Sequence, residues 1–300
     1  MKRIIILSTL VLMGIFLNAQ VKTAPKKPVA KPKPAATKPV PKHTTVKKPK
    51  VEKEQMVEIT TNFGVIVVKL YNETPLHRDN FVKLVKEGFY DSLLFHRVIN
   101  TFMIQGGDPN SKYADSAAML GNGDVGYKIP GEFNKDLFHK RGALAAARDN
   151  NPERASSGCQ FYIVHGRKFN QQEIEQILNS RNMNNKQGIL YSCYQRDTVQ
   201  AAIYQIQQSG DKERLREYMA NLQKIVDEQY KQQFPDAEKV NLDQVGVYIN
   251  EGGAPHLDGS YTVFGEVVSG MEVVDKIATQ KTGTADRPLE NIRMKMRLLP

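Results

Sequence analysis

The chain has 300 residues, of which 40% are hydrophobic and 25% charged, and its formal net charge is +10 at pH 7. The excess charge lies at one end, because residues 1–55 hold 13 Lys and Arg against 2 Asp and Glu, whereas residues 56–300 hold 29 against 30. The body of the protein therefore lacks the basic surface of a nucleic-acid binder, and the composition excludes that class of partner for the folded part.

The amino terminus has the pattern of a secretory signal. A basic pair precedes an apolar run from Ile4 to Leu17, and a small residue, Ala19, follows at the expected cleavage position. A membrane-spanning helix needs about 20 apolar residues. This shorter run therefore predicts a cleavable signal peptide over residues 1–19 and no stable membrane span. Export, with the periplasm as destination, is the expectation; the alternative is an uncleaved signal that tethers the protein to the membrane.

Residues 20–55 form a second segment, rich in Lys, Pro, Ala, Thr and Val, with seven prolines between Pro25 and Pro49. Such a segment has too little apolar surface to offset the entropy lost on ordering, so we predict an extended, disordered linker. A solvated spacer is the simplest interpretation. The alternative is a cationic tether to anionic polymers or lipid head groups of the cell envelope.

The predicted domain, residues 56–300, is long enough for a single hydrophobic core. Residues 57–70 form two β-rich runs around an Asn-Phe-Gly turn, which predicts a hairpin. A Thr-Pro pair opens a helical pattern over residues 74–88, and a second helix is predicted over residues 270–278. Alternating apolar and basic residues over 292–298 predict a half-buried closing strand.

One segment, residues 170–252, breaks this pattern because it is rich in Gln and helical. Apolar residues recur at helical spacing along it, at Leu215, Met219, Leu222, Val226 and Tyr230. We predict a helical insertion whose apolar stripe packs on the parent domain; binding of a partner by that stripe is the alternative.

Other chemistries find little support. Residues 121–126 match a phosphate-loop pattern by letter, but Pro130 follows closely and excludes the required helix, so we predict a flexible surface loop. The six histidines lack ligand spacing and two cysteines cannot supply a zinc site, so no metal or other cofactor is expected. We expect Cys159 and Cys193 to be unpaired; a disulfide is the alternative in an exported chain.

Four ordered motifs carry the functional signal. They are residues 95–97 (FHR), 102–108 (FMIQGGD), 156–163 (SSGCQFYI) and 256–265 (HLDGSYTVFG). Together they closely resemble the cyclophilin family of peptidyl-prolyl cis-trans isomerases. The resemblance implies a mainly β fold, an eight-stranded antiparallel closed barrel capped by two helices, with proline bound in a groove on the outer face. The helical insertion is an addition to that fold.

The resemblance also implies residue roles. Arg97 corresponds to the catalytic arginine and Gln105 to the glutamine that orients both this arginine and the substrate carbonyl. The implied substrate-binding residues, in chain order, are Phe102, Met103, Ala147, Arg148, Gln160, Tyr162, His256, Leu257 and Tyr261. Within this set, Ala147 and Gln160 match positions that contact the residues preceding the proline.

Four of these positions depart from the family pattern. Tyr162 replaces a usual phenylalanine, Tyr261 a frequent histidine, His256 a tryptophan of cyclosporin-sensitive members, and Arg148 a common asparagine. The departures put tight cyclosporin binding in doubt. They also predict an altered preference for the residue before the proline.

The resemblance implies isomerisation of X-Pro bonds in folding or unfolded exported polypeptides. An apolar pocket with one arginine suits this reaction, because the amide becomes less dipolar as it twists and the proline nitrogen regains a lone pair. No metal, nucleotide or covalent intermediate is required. Two alternatives are a non-catalytic module that binds proline-containing segments and a chaperone that uses the helical insertion.

Overall fold

The computed structural model describes residues 53–115, 118–151, 153–234 and 241–300. The predicted signal peptide and nearly all of the predicted linker lie outside the described residues. No helix within the described ranges combines the length and the apolar character that a membrane crossing needs.

The described residues form a strand-rich body and a set of helices. The strands are β1 (Met56–Thr61), β2 (Gly64–Leu70), β3 (Phe95–Ile99), β4 (Met103–Gly106), β5 (Lys128–Ile129), β6 (Ala143–Ala146), β7 (Ser156–Ser157), β8 (Phe161–Val164), β9 (Val263–Ser269) and β10 (Met294–Leu299). The α-helices are α1 (Pro75–Lys86), α2 (Gln171–Tyr194), α3 (Asp197–Ser209), α4 (Lys212–Gln233), α5 (Leu242–Asn250) and α6 (Met271–Ala278). The predicted first hairpin, both predicted helices of the barrel and the closing strand are confirmed.

Eight strands form one antiparallel sheet in the order β10-β1-β2-β9-β6-β8-β4-β3, and β5 pairs separately with β7. The edge strands β3 and β10 meet where they begin, through a bridge between Leu94 and Arg293. Backbone hydrogen bonds of 2.9 Å run there from Phe95 N–H to the Ile292 carbonyl, from Met294 N–H to the Leu93 carbonyl and from Ser92 N–H to the Met294 carbonyl. The predicted eight-stranded antiparallel fold is confirmed, although its seam is narrower than a fully paired barrel would have.

Alternation along the strands separates two apolar clusters. On β8, Phe161 and Ile163 belong to the main core, whereas Tyr162 and Val164 belong to a second cluster on the opposite face of the sheet. Side chains of period two point to opposite faces of a strand, which explains the division. The caps α1 and α6 bury their apolar sides in the main core, through residues that include Phe81 and Val274. The second cluster is left to form the candidate site.

The predicted helical insertion lies between β8 and β9 and consists of α2 to α5. It begins with a capping box in which the Asn170 side chain accepts from the Glu173 N–H at 2.9 Å. The insertion is anchored to the barrel by a small cluster that includes Phe169, Ile174 and Tyr248.

The expected packing of the α4 stripe on the parent domain is wrong. Leu222, Val226 and Tyr230 are buried against Ile189 and Cys193 of α2, within the insertion itself. Helical periodicity identifies a buried face but does not say which surface covers it. Because this face is already covered, it is not an open surface for a partner.

Both cysteines are free and buried, Cys159 in the main core and Cys193 in the helical insertion. Burial raises the pKa of the Cys159 thiol to about 12. The expectation of unpaired cysteines is confirmed, and a thiol held neutral in this way is a poor nucleophile.

Candidate active site

Arg97 and Gln105 lie directly opposite each other on the neighbouring strands β3 and β4. The register of this pair shifts between Phe95 and Arg97, so Phe95 remains in the main core while Arg97 joins Gln105 on the outer face. The Arg97 Nη1 donates to Gln105 Oε1 at 3.4 Å. A local irregularity in the strand thus places the only arginine of the motif beside its predicted partner.

A chain of side-chain amides fixes the orientation of Gln105. Gln160 donates through Nε2 to the carbonyls of Gly121 and Gly123 at 2.9 and 2.7 Å, which leaves its Oε1 to accept from Gln105 Nε2 at 3.1 Å. The Gln105 Oε1 must then face Arg97. The 121–126 segment, predicted to be a flexible surface loop, is instead tied to the site by these bonds.

Arg97 has a second partner that sequence reasoning missed. Asp286 Oδ2 accepts from Arg97 Nε at 3.3 Å, with the two side chains 41% and 46% exposed. Ala285 and Asp286 both have left-handed backbone angles, with φ of 57° and 58°. Such conformations are uncommon for residues other than glycine and cluster at functional sites. Because 189 residues separate Asp286 from Arg97 in the sequence, no local pattern signals the contact.

The structure gathers nine of the eleven predicted site residues around one cavity of about 330 Å³. They are Arg97, Phe102, Met103, Gln105, Ala147, Arg148, Tyr162, Leu257 and Tyr261. The other two lie nearby. Gln160 supports Gln105 from behind, and the His256 ring lies 5.3 Å from the Phe102 ring at the rim. Proximity is therefore established, whereas the individual roles stay predictions.

The departure at Tyr162 has a structural reason. Its hydroxyl lies 2.9 Å from Nε2 of His139, and the opposite ring nitrogen, Nδ1, lies 2.9 Å from a carboxylate oxygen of Asp258. A carboxylate only accepts, so Nδ1 carries a proton, and in the neutral imidazole Nε2 then accepts from the tyrosine hydroxyl. A phenylalanine at this position would leave the buried His139 nitrogen without that donor.

This network extends into the insertion. Tyr248 of α5 donates to the other oxygen of Asp258 at 2.7 Å. Burial raises the pKa of both Tyr162 and Tyr248 well above the usual tyrosine range, so both remain hydroxyl donors at neutral pH. Asp258 lies inside the motif of residues 256–265, but neither its role nor that of His139 was predicted from the sequence. The network connects the floor of the pocket to an inserted helix.

Two further departures from the family pattern, Arg148 and Tyr261, contact each other. The Arg148 guanidinium lies 4.6 Å from the centre of the Tyr261 ring, a cation–π geometry, and its Nε donates to the Ser260 carbonyl at 3.0 Å. The Tyr261 ring in turn meets the Tyr162 ring edge-on, with centres 6.0 Å apart. The side chains at 148, 261 and 162 therefore pack against one another in turn, from the half-buried Arg148 at the rim to the buried Tyr162 at the floor.

The residue before the arginine affects the electrostatics of the cavity. His96 is 3% exposed and lines the same cavity as Arg97. Burial lowers the pKa of His96 to about 4, and the neighbouring cation of Arg97 acts in the same direction. At neutral pH the imidazole is uncharged, so Arg97 supplies the positive charge on this side of the cavity.

Comparison with known proteins finds a family model that matches most of the chain. The family model described as "Cyclophilin type peptidyl-prolyl cis-trans isomerase/CLD" matches residues 56–190 and 235–297, so α3 and α4 fall outside it. A Staphylococcus aureus (strain USA300) protein that carries the name of a peptidyl-prolyl cis-trans isomerase is 29% identical over 240 residues, covering 80% of this chain and 88% of that protein.

Two further comparisons concern a longer protein and a solved structure. A Streptococcus pyogenes serotype M6 protein named for both phosphatase and peptidyl-prolyl cis-trans isomerase activities is 29% identical over 239 residues, 79% of this chain and 37% of that protein. A crystal structure of a Cryptosporidium parvum cyclophilin type isomerase aligns with 83% of this chain and 99% of its own at 18% identity, with a TM-score of 0.49. On the match to the family model, the chain belongs to the cyclophilin family and is a peptidyl-prolyl cis-trans isomerase whose substrates are proline-containing polypeptides.

Proposed function

We propose that Arg97 and Gln105 form the catalytic pair of this isomerase and that its substrates are folding or unfolded exported polypeptides. The observation that carries the catalytic assignment is the pairing of Arg97 with Gln105 beside a cavity walled by Phe102, Met103 and Leu257. The cavity offers an apolar seat for a proline ring, and Arg97 and Arg148 are the two arginines that line it.

The uncatalysed reaction is slow because planarity of the amide carries resonance. Rotation about a peptide bond has a barrier of ~18–20 kcal/mol. Exchange at an X-Pro bond takes on the order of tens to hundreds of seconds. At the twisted midpoint conjugation is lost, the amide is less dipolar, and the proline nitrogen can accept a hydrogen bond. Groups that favour this twisted state over both planar states accelerate the rotation.

Arg97 has hydrogen-bonding capacity left for this task. A guanidinium carries five N–H donors. Among the described residues, one Nη1 proton is used by Gln105 and the Nε proton by Asp286. The remaining three protons are available to the amide, and one that reaches the proline nitrogen forms a bond that exists only in the twisted state. Gln105 keeps one amide proton for the substrate carbonyl, because its other donates to Gln160.

The cellular setting follows from the amino-terminal sequence. A basic pair, an apolar run and Ala19 support cleavage of a signal peptide and delivery to the periplasm, and the Lys- and Pro-rich residues 20–55 suit contact with an anionic cell envelope. The test is amino-terminal sequencing of protein recovered from cell fractions. A mature chain that starts near residue 20 in the periplasmic fraction is expected, and an uncleaved chain in the membrane fraction would favour the tethered alternative.

The catalytic proposal is tested by NMR exchange between the cis and trans signals of a short X-Pro peptide. Wild-type protein is expected to accelerate the exchange, and Arg97→Ala to remove most of the acceleration while the circular dichroism spectrum and thermal midpoint stay unchanged. Full acceleration by a folded Arg97→Ala variant would refute the role of Arg97. No acceleration by the wild-type protein would favour the non-catalytic binding alternative.

A further inference from the structure

We call the cavity of about 330 Å³ that Arg97, Phe102 and Leu257 line the proline cavity, after its proposed occupant. Further cavities continue from it on the side of the insertion. A second cavity, of about 400 Å³, is bounded by Phe102, Phe169, Ile177 and His256, and a third, of about 460 Å³, extends along α2. We call the second and third cavities together the α2 groove.

The α2 groove and the proline cavity share walls. Phe102 borders both the proline cavity and the second cavity, and the His256 ring packs beside it at 5.3 Å. Arg167, Ile177 and His256 border both the second and third cavities. A polypeptide seated in the proline cavity therefore reaches α2 by crossing the ridge formed by Phe102 and His256.

The wall that α2 contributes has a definite chemistry. Gln176, Ser180 and Asn184 are spaced by four residues, which places them on one side of a helix, and all three are exposed and border the groove. Their side chains make no hydrogen bond to another residue in the described part of the chain. Each offers both a donor and an acceptor without a charge, as the N–H and C=O groups of an extended peptide require. Ile177, the residue after Gln176, adds an apolar side chain to the wall.

This wall is held rigidly against the barrel. The Asn170 capping box fixes the first turn of α2, and Arg167 pairs with Glu173 at 2.9 Å. Ile174 is buried next to Tyr248, which bonds to Asp258 in the network of the pocket floor. A preformed wall lowers the ordering cost of binding.

We propose that the α2 groove binds the segment of the substrate that follows the proline. This inference rests on the proposed function of the proline cavity. Ala147 and Gln160, assigned by resemblance to the residues before the proline, border a separate cavity that shares no wall residue with the α2 groove. The chain beyond the proline therefore leaves on the other side, over Phe102 and His256.

The occupant is an extended, unfolded stretch of substrate. Four residues in extended conformation span about 13 Å at roughly 3.3 Å per residue, so the groove would engage several residues beyond the proline. Arg167, Glu173 and Arg181 also border the groove. The row of uncharged polar groups is the part that suits a peptide backbone, and this row selects for extension and not for a particular sequence. The inserted helices would then give the enzyme a preference for proline bonds inside long unfolded segments.

The test compares three peptides by NMR exchange: a short X-Pro peptide, the same peptide extended by six neutral residues after the proline, and the same extended before it. Extension after the proline is expected to raise kcat/KM about fivefold, mainly through KM, as one or two hydrogen bonds of typical strength would produce. Extension before the proline is expected to leave kcat/KM without this increase, because the added residues do not reach the α2 groove. Ser180→Trp, which fills the groove, is expected to abolish the gain, and Asn179→Trp, next to it on the exposed surface, to retain it.

Two results would overturn the inference and spare the proposed function: equal kcat/KM for the short peptide and the one extended after the proline, or an equal gain in Ser180→Trp and Asn179→Trp. Wild-type protein that accelerates none of the peptides would instead overturn the proposed function, and with it this role of the groove. A gain of equal size from extension on either side of the proline would also contradict the assignment to the following segment.

Discussion

The two sides of the proline cavity are held by different kinds of interaction. On the polar side, Arg97 pairs with Asp286 while both side chains are more than one third exposed, and such surface pairs contribute only about 0–1 kcal/mol. On the apolar side, Tyr162 is fixed by His139, whose side chain is fully buried and shares a carboxylate with Tyr248. Water can replace a lost partner on the first side but not on the second.

This difference indicates which interactions fix the side chains on each side of the cavity. The position of Arg97 is set mainly by strand register and by the chain of amides through Gln105 and Gln160. The exposed ion pair with Asp286 makes a smaller contribution to the orientation of its side chain. The apolar side depends on polar groups that are costly to leave unpaired. Changes on the polar side should therefore alter rate, and changes on the apolar side should alter stability together with substrate binding.

The largest expected effect is that of Arg97→Lys, which keeps the charge and removes the planar set of donors. Loss of a transition-state donor typically lowers the rate by about a hundredfold to a thousandfold, and we expect a fall of that size in kcat. NMR exchange on a short X-Pro peptide measures it, with chemical denaturation as the control for folding. A variant that keeps wild-type kcat would show that charge alone suffices.

Acid sensitivity is expected to come from the buried His96 behind the arginine. Its pKa is lowered to about 4 by burial, so the folded state resists protonation and the unfolded chain binds the proton first as the pH falls from about 6.5. Stability is therefore full above that pH and is lost on acidification, by about 3 kcal/mol at pH 4. Urea denaturation at pH 7 and pH 4 should show a smaller acid loss in His96→Asn.

The matched control for this pH experiment is His256→Asn at the exposed rim. Burial also lowers the pKa of His256, but its side chain is exposed at the rim, where water screens the effect, so this variant should leave most of the acid loss in place. An identical acid loss in wild-type protein and His96→Asn would assign the sensitivity to other groups.

On the apolar side, His139→Ala tests the buried network. It leaves the Tyr162 hydroxyl without a partner and removes one of the bonds to Asp258, whose Oδ1 still accepts from the backbone N–H of residue 139. An unpaired buried polar group costs about 1–3 kcal/mol. We expect a loss of about 2 kcal/mol in the free energy of unfolding and a raised KM with a smaller change in kcat. The double variant His139→Ala with Tyr162→Phe should recover part of the stability. Equal losses in the single and double variants would contradict the network.

The sequence predicted those features that depend on local patterns. Alternation in the closing strand and the Thr-Pro start of α1 identified elements correctly, and the ordered motifs led to nine residues that surround one cavity. It did not show the partner of a buried face, as with α4, because helical periodicity is the same whichever surface covers the stripe. It likewise did not show why residue 162 is a tyrosine, because His139 comes from a loop 23 positions away.

The smallest expected effect is that of Asp286→Asn, which removes the charge beside Arg97 and keeps the shape. As a positioning residue in an exposed pair, Asp286 is worth about two- to fivefold in kcat/KM at low salt. The difference should shrink at high salt, where exposed charges are screened, and Asp286→Glu should restore the rate. Asp149→Asn, which breaks the exposed pair with Lys128, is the matched control because it does not touch Arg97. An Asp286→Asn effect that high salt leaves unchanged would mean that the left-handed backbone at 285 and 286, and not the charge, places the arginine.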